Sequence, residues 1–265
     1  MHGVPVTAER LGLEGPRGWA FRGISLDAGP GALIAVEGPS GSGRTCLLLA
    51  LTGRMKATEG TANVGAARLP KQLAAARRIS AVANVAGVTD LEPALTVGEH
   101  LRERALLQRR FGDSLRALLR PRAERRAQAQ ERIDGALAAA GLDLESLPKG
   151  ARTAVRDLER IEALRLSVAL ALVGTPRLLA VDDADLKLSE SERAEVRTLL
   201  TSIAEAGTTV VAVCGQAMAG AVVVRTGSTG ATEASEESEK PEGSEELEES
   251  EDEEAGDALA ATGRA

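Results

Sequence analysis

The chain has 265 residues, 43% of them hydrophobic, and a formal net charge of −7. That length builds one large domain or two small ones, and with one Trp, two Phe and no Tyr the core has to be aliphatic. No apolar run reaches the about 20 residues of a membrane span, the start MHGVPVTAERLGLEG lacks the basic-then-apolar layout of a signal peptide, and Cys46 and Cys214 are too few for a disulfide framework, so a cytosolic chain with two buried thiols is expected.

The first informative segment is Ala32–Val36 (ALIAV), an apolar run of strand type. It is followed by GPSGSGRT at 38–45 and by Cys46–Leu51 (CLLLAL), which opens an apolar helix. Strand, glycine loop and helix in this order are what the phosphate-binding pattern G-x-x-x-x-G-K-[ST] requires, with Arg44 standing where the lysine belongs. In such a loop the backbone N–H groups of Gly41 to Thr45 converge at a helix N-terminus, a setting that binds phosphate. Gly38, Gly41 and Gly43 suit positive φ or close backbone approach, and the Thr45 hydroxyl would reach a magnesium ion. Taken alone, the loop is also readable as a glycine-rich turn joining a buried strand to a helix.

Further along, RISAVANV at 78–85, LLAVDD at 178–183 and TTVVAVC at 208–214 have the pattern of buried strands. Residues 189–206 form an amphipathic helix begun by Ser189 and closed by Gly207. Strands alternating with helices predict an α/β fold, a parallel sheet of P-loop NTPase type. Between about 97 and 147 lies an arginine-rich helical insertion, interrupted at Gly112, Pro121 and Gly141. Its arginines are readable as helix-surface partners of Glu103, Glu124 and Glu131 at i,i+4, or as a nucleic-acid surface, against which the lack of an aromatic stacking platform counts. LLAVDD ends a strand in two carboxylates, the acidic group that a magnesium-bound triphosphate needs, although such a pair also serves as a helix cap or turn. From Gly227 onward 14 acidic and 2 basic residues give a charge of −12, which leaves +5 on residues 1–226. The acidic segment 227–265 has almost nothing to bury and is expected to be disordered, either as a solvating tail or as a competitor for a basic surface.

Over about residues 4–225 the order of these landmarks resembles the ATP-binding cassette of ABC transporters. GPSGSGRT resembles the Walker A loop, and RRISAVAN followed by DLEPALTVGEHL resembles the segment that carries the Q-loop into the helical subdomain. VRDLERIEALRLSVALALVGTPRLLAVDDADLKLS is similar in outline to the run from signature motif through Walker B to D-loop, and GTTVVAVCGQ to the strand that ends in the switch histidine. The resemblance implies a cassette domain over residues 1–226, with a helical subdomain at about 90–160, that uses ATP and Mg2+. Nucleotide binding would fall to Gly38, Pro39, Ser40, Gly41, Ser42, Gly43, Arg44, Thr45 and Cys46, and metal contact to Thr45, Asp182 and Asn84. It also implies a separately encoded membrane permease as partner, a cassette homodimer or heterodimer, and a cytoplasmic position at the inner face of the cell membrane. Nucleic acid is not an expected partner.

The departures from the family pattern fall on its chemistry. Asn84 takes the glutamine position that contacts magnesium, and Leu158–Glu162 (LERIE) replaces the signature LSGGQ. Asp183 replaces the glutamate that positions water, which makes it the candidate catalytic residue with its carboxylate set back. Ser189 falls at the D-loop aspartate and Gly215 at the switch histidine. Gly15 or its neighbours fall where the adenine-stacking aromatic belongs, with Trp19 a stand-in if the loop is shifted. A hydrolytic group displaced by an ångström loses on the order of 100-fold in rate, so weak or partner-dependent hydrolysis is expected. The alternatives are a pseudo-ATPase that senses nucleotide on a membrane protein, and a soluble cassette associated with nucleic acid or ribosomes.

Overall fold

Two sheets with different strand geometry carry the chain, whose computed structural model describes residues 3–111 and 121–227. Gly112 and the acidic segment beyond Gly227 lie outside the described residues. The first sheet is antiparallel, β1 (Val6–Gly15), β2 (Gly18–Ala28), β4 (Glu59–Val64) and β5 (Ala67–Leu69), in the order β2-β1-β4-β5. The second is parallel, β3 (Leu33–Glu37), β6 (Ser80–Ala83), β7 (Leu178–Val181), β8 (Thr209–Val213) and β9 (Val222–Arg225), in the order β6-β7-β8-β3-β9.

The four apolar runs expected as buried strands are β3, β6, β7 and β8, and they are neighbours in the parallel sheet. Each residue of β6, β7 and β8 is buried. Such runs are continuously apolar because both faces of a parallel sheet are covered. Ala35, Ala83, Val181 and Ala212 face a core completed by α3 (Val97–Phe111), α4 (Arg122–Ala139), α5 (Arg160–Leu172) and α6 (Glu190–Glu205). Ile34, Val36, Ala180 and Val213 face the other way, onto α1 (Arg44–Leu51) and the inner side of the antiparallel sheet. A short α2 (Leu73–Ile79) leads into β6.

The expected helical insertion is α3 and α4, with two 3-10 turns at Gly150–Arg152 and Val155–Asp157 before α5. Thr96 bridges Ala154, and Val97 N donates to Thr153 O at 3.0 Å, which closes the base of the insertion. The antiparallel sheet and β9 were not among the expected strands. In β1 the pairing shifts register three times against β2, so its apolar residues do not alternate cleanly.

Candidate functional site

The glycine loop leaves the carboxyl end of β3, the third strand along from β6, and turns into α1 at Arg44. Gly43 caps that helix with φ 80, and its carbonyl accepts the first helical hydrogen bond from Leu47 N at 2.8 Å. A Cβ on Gly43 would run into the backbone carbonyl of Ala20 on β2, so only glycine fits and the loop is pressed against the antiparallel sheet. At its other end the loop is braced by Thr226. The Thr226 hydroxyl lies 2.6 Å from Ser42 Oγ and donates to Glu37 O at 3.1 Å, while Thr226 N donates to the same carbonyl at 2.8 Å. Nothing in the sequence pattern marks Thr226, which arrives from β9 through tertiary pairing alone.

Thr45 and Asp182, read as a metal pair, meet across 137 positions of sequence: Thr45 Oγ1 donates to Asp182 Oδ2 at 2.8 Å. Asp182 is 3% exposed, and its Oδ1 is buried with no hydrogen-bond partner among the described residues. Burial pushes the Asp182 carboxyl above the ordinary range and the charge of Asp183 adds to this, against the opposing pull of the Thr45 hydrogen bond and Arg44. An anion so placed, beside a hydroxyl and an unsatisfied oxygen, has the donor set of a hard divalent cation. Arg44 thus keeps a positive charge within reach of the site in place of lysine.

The remaining candidates are arranged as follows. Asn84 takes φ 56, a left-handed conformation that Asn tolerates. Its backbone N donates to Ser167 Oγ at 2.7 Å, and its Nδ2 donates to Asp182 O at 2.9 Å. The amide therefore holds the end of β7 in place, and only its oxygen could serve a metal. Asp183 is also left-handed, at φ 43, where Asp is better accommodated than the longer Glu. Gly215 has no side chain to offer, and its N–H donates to Asp185 Oδ2 at 2.8 Å. Asp185 thus occupies the neighbourhood of the expected switch residue, a contact that sequence spacing does not announce. Cys214 beside it is buried and pushed up to about 11, first by burial and then by Asp185 and Glu37. Cys46 is only half-buried, so of the two expected buried thiols one is.

At the segment LERIE, Glu159 and Glu162 form a reciprocal capping box on α5, with Glu159 N donating to Glu162 Oε2 at 2.8 Å. Arg160 Nε donates to Leu186 O at 2.9 Å. Ser189 caps α6 in the same manner with Glu192. Trp19 lies on β2 beneath the Arg22 guanidinium, 4.4 Å from the ring centroid.

The ABC transporter family model matches residues 21–185 of the chain. The chain belongs to the ABC transporter family. This cassette is 32% identical to the Fe(3+) ions import ATP-binding protein FbpC of Streptomyces avermitilis, over 77% of its own length and 55% of that protein. It is 30% identical to the Nod factor export ATP-binding protein I of Cupriavidus metallidurans, over 71% of its own length and 55% of that protein. The cassette therefore spans about half the length of these curated relatives. In fold it is similar to MJ0796, a bacterial ABC transporter cassette solved as a dimer, with a TM-score of 0.62 at 20% identity over 83% of this chain and 94% of that one. A second structure of MJ0796, bound to ADP and Pi, gives a TM-score of 0.60 at 23% identity over 80% of this chain and 88% of that one. Among the described residues no helix of the cassette is long and apolar enough to cross a membrane.

Proposed function

We propose that the cassette is the ATP-binding subunit of a transport system, holding MgATP at Gly38–Cys46 and coupling to a separate membrane permease at the inner face of the cell membrane. The observation that carries this is the Thr45–Asp182 pair at the foot of the glycine loop, with Asp182 Oδ1 buried and unsatisfied. Thr45 and Asp182 would hold the magnesium ion, which would supply neutralisation of the phosphate charge. Asn84 orders the carboxyl end of β7, and Arg44 supplies a second positive charge to the phosphates.

Hydrolysis by the isolated chain is weak. Gly215 presents only a backbone N–H, already engaged by Asp185, so no side chain at that position orients water. Asp183 keeps a carboxylate, the remaining candidate for that task, but on a short side chain. Loss of one water-orienting or proton-transferring group costs about 10² to 10⁴ in rate. A groove of about 440 Å³ lined by Arg54, Val88, His100, Arg104, Leu107 and Ser167 lies one residue layer from Asn84 through Ser167, and it is the surface suited to a permease segment.

The pseudo-ATPase reading is favoured by one observation, the capping box that fills the start of α5 with the chain's own carboxylates Glu159 and Glu162. The test is steady-state turnover at saturating MgATP, alone and with the membrane protein that co-purifies. Turnover below about 1 s⁻¹ alone, rising with the partner, is expected. Fast turnover alone removes the claim of attenuation, whereas saturable MgATP binding with no turnover in either setting selects the pseudo-ATPase.

A further inference from the structure

A guanidinium drawn out of water is costly unless a carboxylate faces it. Arg54, just beyond α1, and Arg104, on α3, are both half-buried, and among the described residues neither has an ion pair. Both line the groove of about 440 Å³ that Val88, Leu91, Leu107 and Leu170 make apolar. What holds them is neutral. Arg54 Nη1 donates to Thr52 O and to Ser80 Oγ, each at 3.0 Å, and its Nη2 donates to Ser80 O at 3.3 Å. Arg104 Nε donates at 2.9 Å to Leu170 O, one of the terminal carbonyls that α5 leaves without a helical partner.

These bonds fix the two side chains without using them up. A guanidinium has five N–H donors, so Arg104 keeps both Nη groups and Arg54 keeps Nε and one Nη2 hydrogen. Each remainder is a fork of the shape that takes a carboxylate through two oxygens. Burial holds the pKa of Arg54 below its ordinary value, and the nearby charges of Arg77 and Arg104 lower it further; burial acts on Arg104 in the same direction. No carboxylate among the described residues answers them. Asp90 and Glu103 line the same groove, but Asp90 Oδ2 accepts from Gly87 N at 2.8 Å and Glu103 is exposed on α3, and neither pairs with the two arginines. Arg77 Nη1 bonds Gly53 O beside Arg54 at 3.0 Å, and between Glu59 and Asp90 the chain has Arg68, Lys71, Arg77 and Arg78 and no acidic residue.

We infer that the segment of the membrane partner seated in this groove brings an aspartate or glutamate, amid apolar residues, as the counter-ion of Arg54 and Arg104. The inference rests on the reading of the groove as a permease surface and names the chemistry of what docks there. An amphipathic helix with one acid among its apolar anchors satisfies both features of the groove, its aliphatic lining and its paired cations. Such complementarity also selects among partners, since a segment with lysine or arginine at that point is repelled.

The experiment uses the full chain with the photo-crosslinker p-benzoylphenylalanine at Val88 or Leu107, which are 52% and 43% exposed. It is irradiated on membranes of the cell that encodes it, and the cross-linked peptide is sequenced by mass spectrometry. The peptide is expected to come from an integral membrane protein and to hold an acid within about four residues of the cross-link, one helical turn. R104M and R104E are each expected to weaken binding of that purified protein about 30-fold or more, with cooperative thermal unfolding of the isolated variants as the control for folding. Changing the partner's acid to arginine is expected to restore binding to R104E. A peptide without an acid there, binding by both variants within about threefold of the parent, or no recovery in the charge swap would each overturn the inference and leave the permease reading standing. Cross-links only to lipid or soluble protein, or none, would instead overturn that reading and the inference with it.

Discussion

Asp182 is a carboxylate around which the protein closes without giving it a full set of partners. Burial raises its pKa above the ordinary carboxylate range, so folding disfavours the ionised form relative to the unfolded chain, and an isosteric side chain without the charge is relieved of that cost. The D182N variant should therefore unfold at a higher temperature than the parent in EDTA, by about 2–4 °C for each kcal/mol relieved, and should lose the additional stabilisation that Mg2+ gives with ATP. Differential scanning calorimetry with and without the metal reads both effects. The Cys214 thiol, held up to about 11, stays protonated far above neutrality and should react with a maleimide only as the protein unfolds. Single residues differ in how far the sequence announces them. Thr45 and Asp182 follow from motif positions, but the left-handed backbone of Asn84 and Asp183 and the Asp185–Gly215 contact depend on how β6, β7 and β8 end together.

Two helices begin with the same device. On α6, Ser189 and Glu192 bond each other's backbone N–H groups, and S189A should cost about 1 kcal/mol by urea denaturation. On α5 the cap residue is Glu159, and E159S should be nearly neutral in stability because serine also caps well. At this scale the parallel strands were legible as unbroken apolar runs, since neither face meets water. The antiparallel strands were not. β2 runs through Trp19, Arg22 and Asp27 with one face exposed, and β1 breaks its period at each register shift. β9 is four residues long, and its partner β3 supplies the pairing that makes it a strand.

As a whole, the molecule wraps one phosphate loop between an antiparallel sheet, a parallel sheet and a strand that returns from the far end of the described chain. Binding should therefore be felt globally. At a MgATP concentration 100 times the dissociation constant, linkage gives about 2.7 kcal/mol, a rise in unfolding temperature of about 5–10 °C for a domain of this size, most of it lost in EDTA. The returning strand also sets a limit for anyone shortening the chain. Acidic residues from Glu233 onward invite removal, and the eye would place the cut at Gly220, ahead of β9. Such a cut deletes Thr226, and with it the hydroxyl that braces Ser42 and the carbonyl of Glu37. Stopping after Gly227 instead preserves the loop's outer wall, where that glycine stands against Pro39 and Ser42.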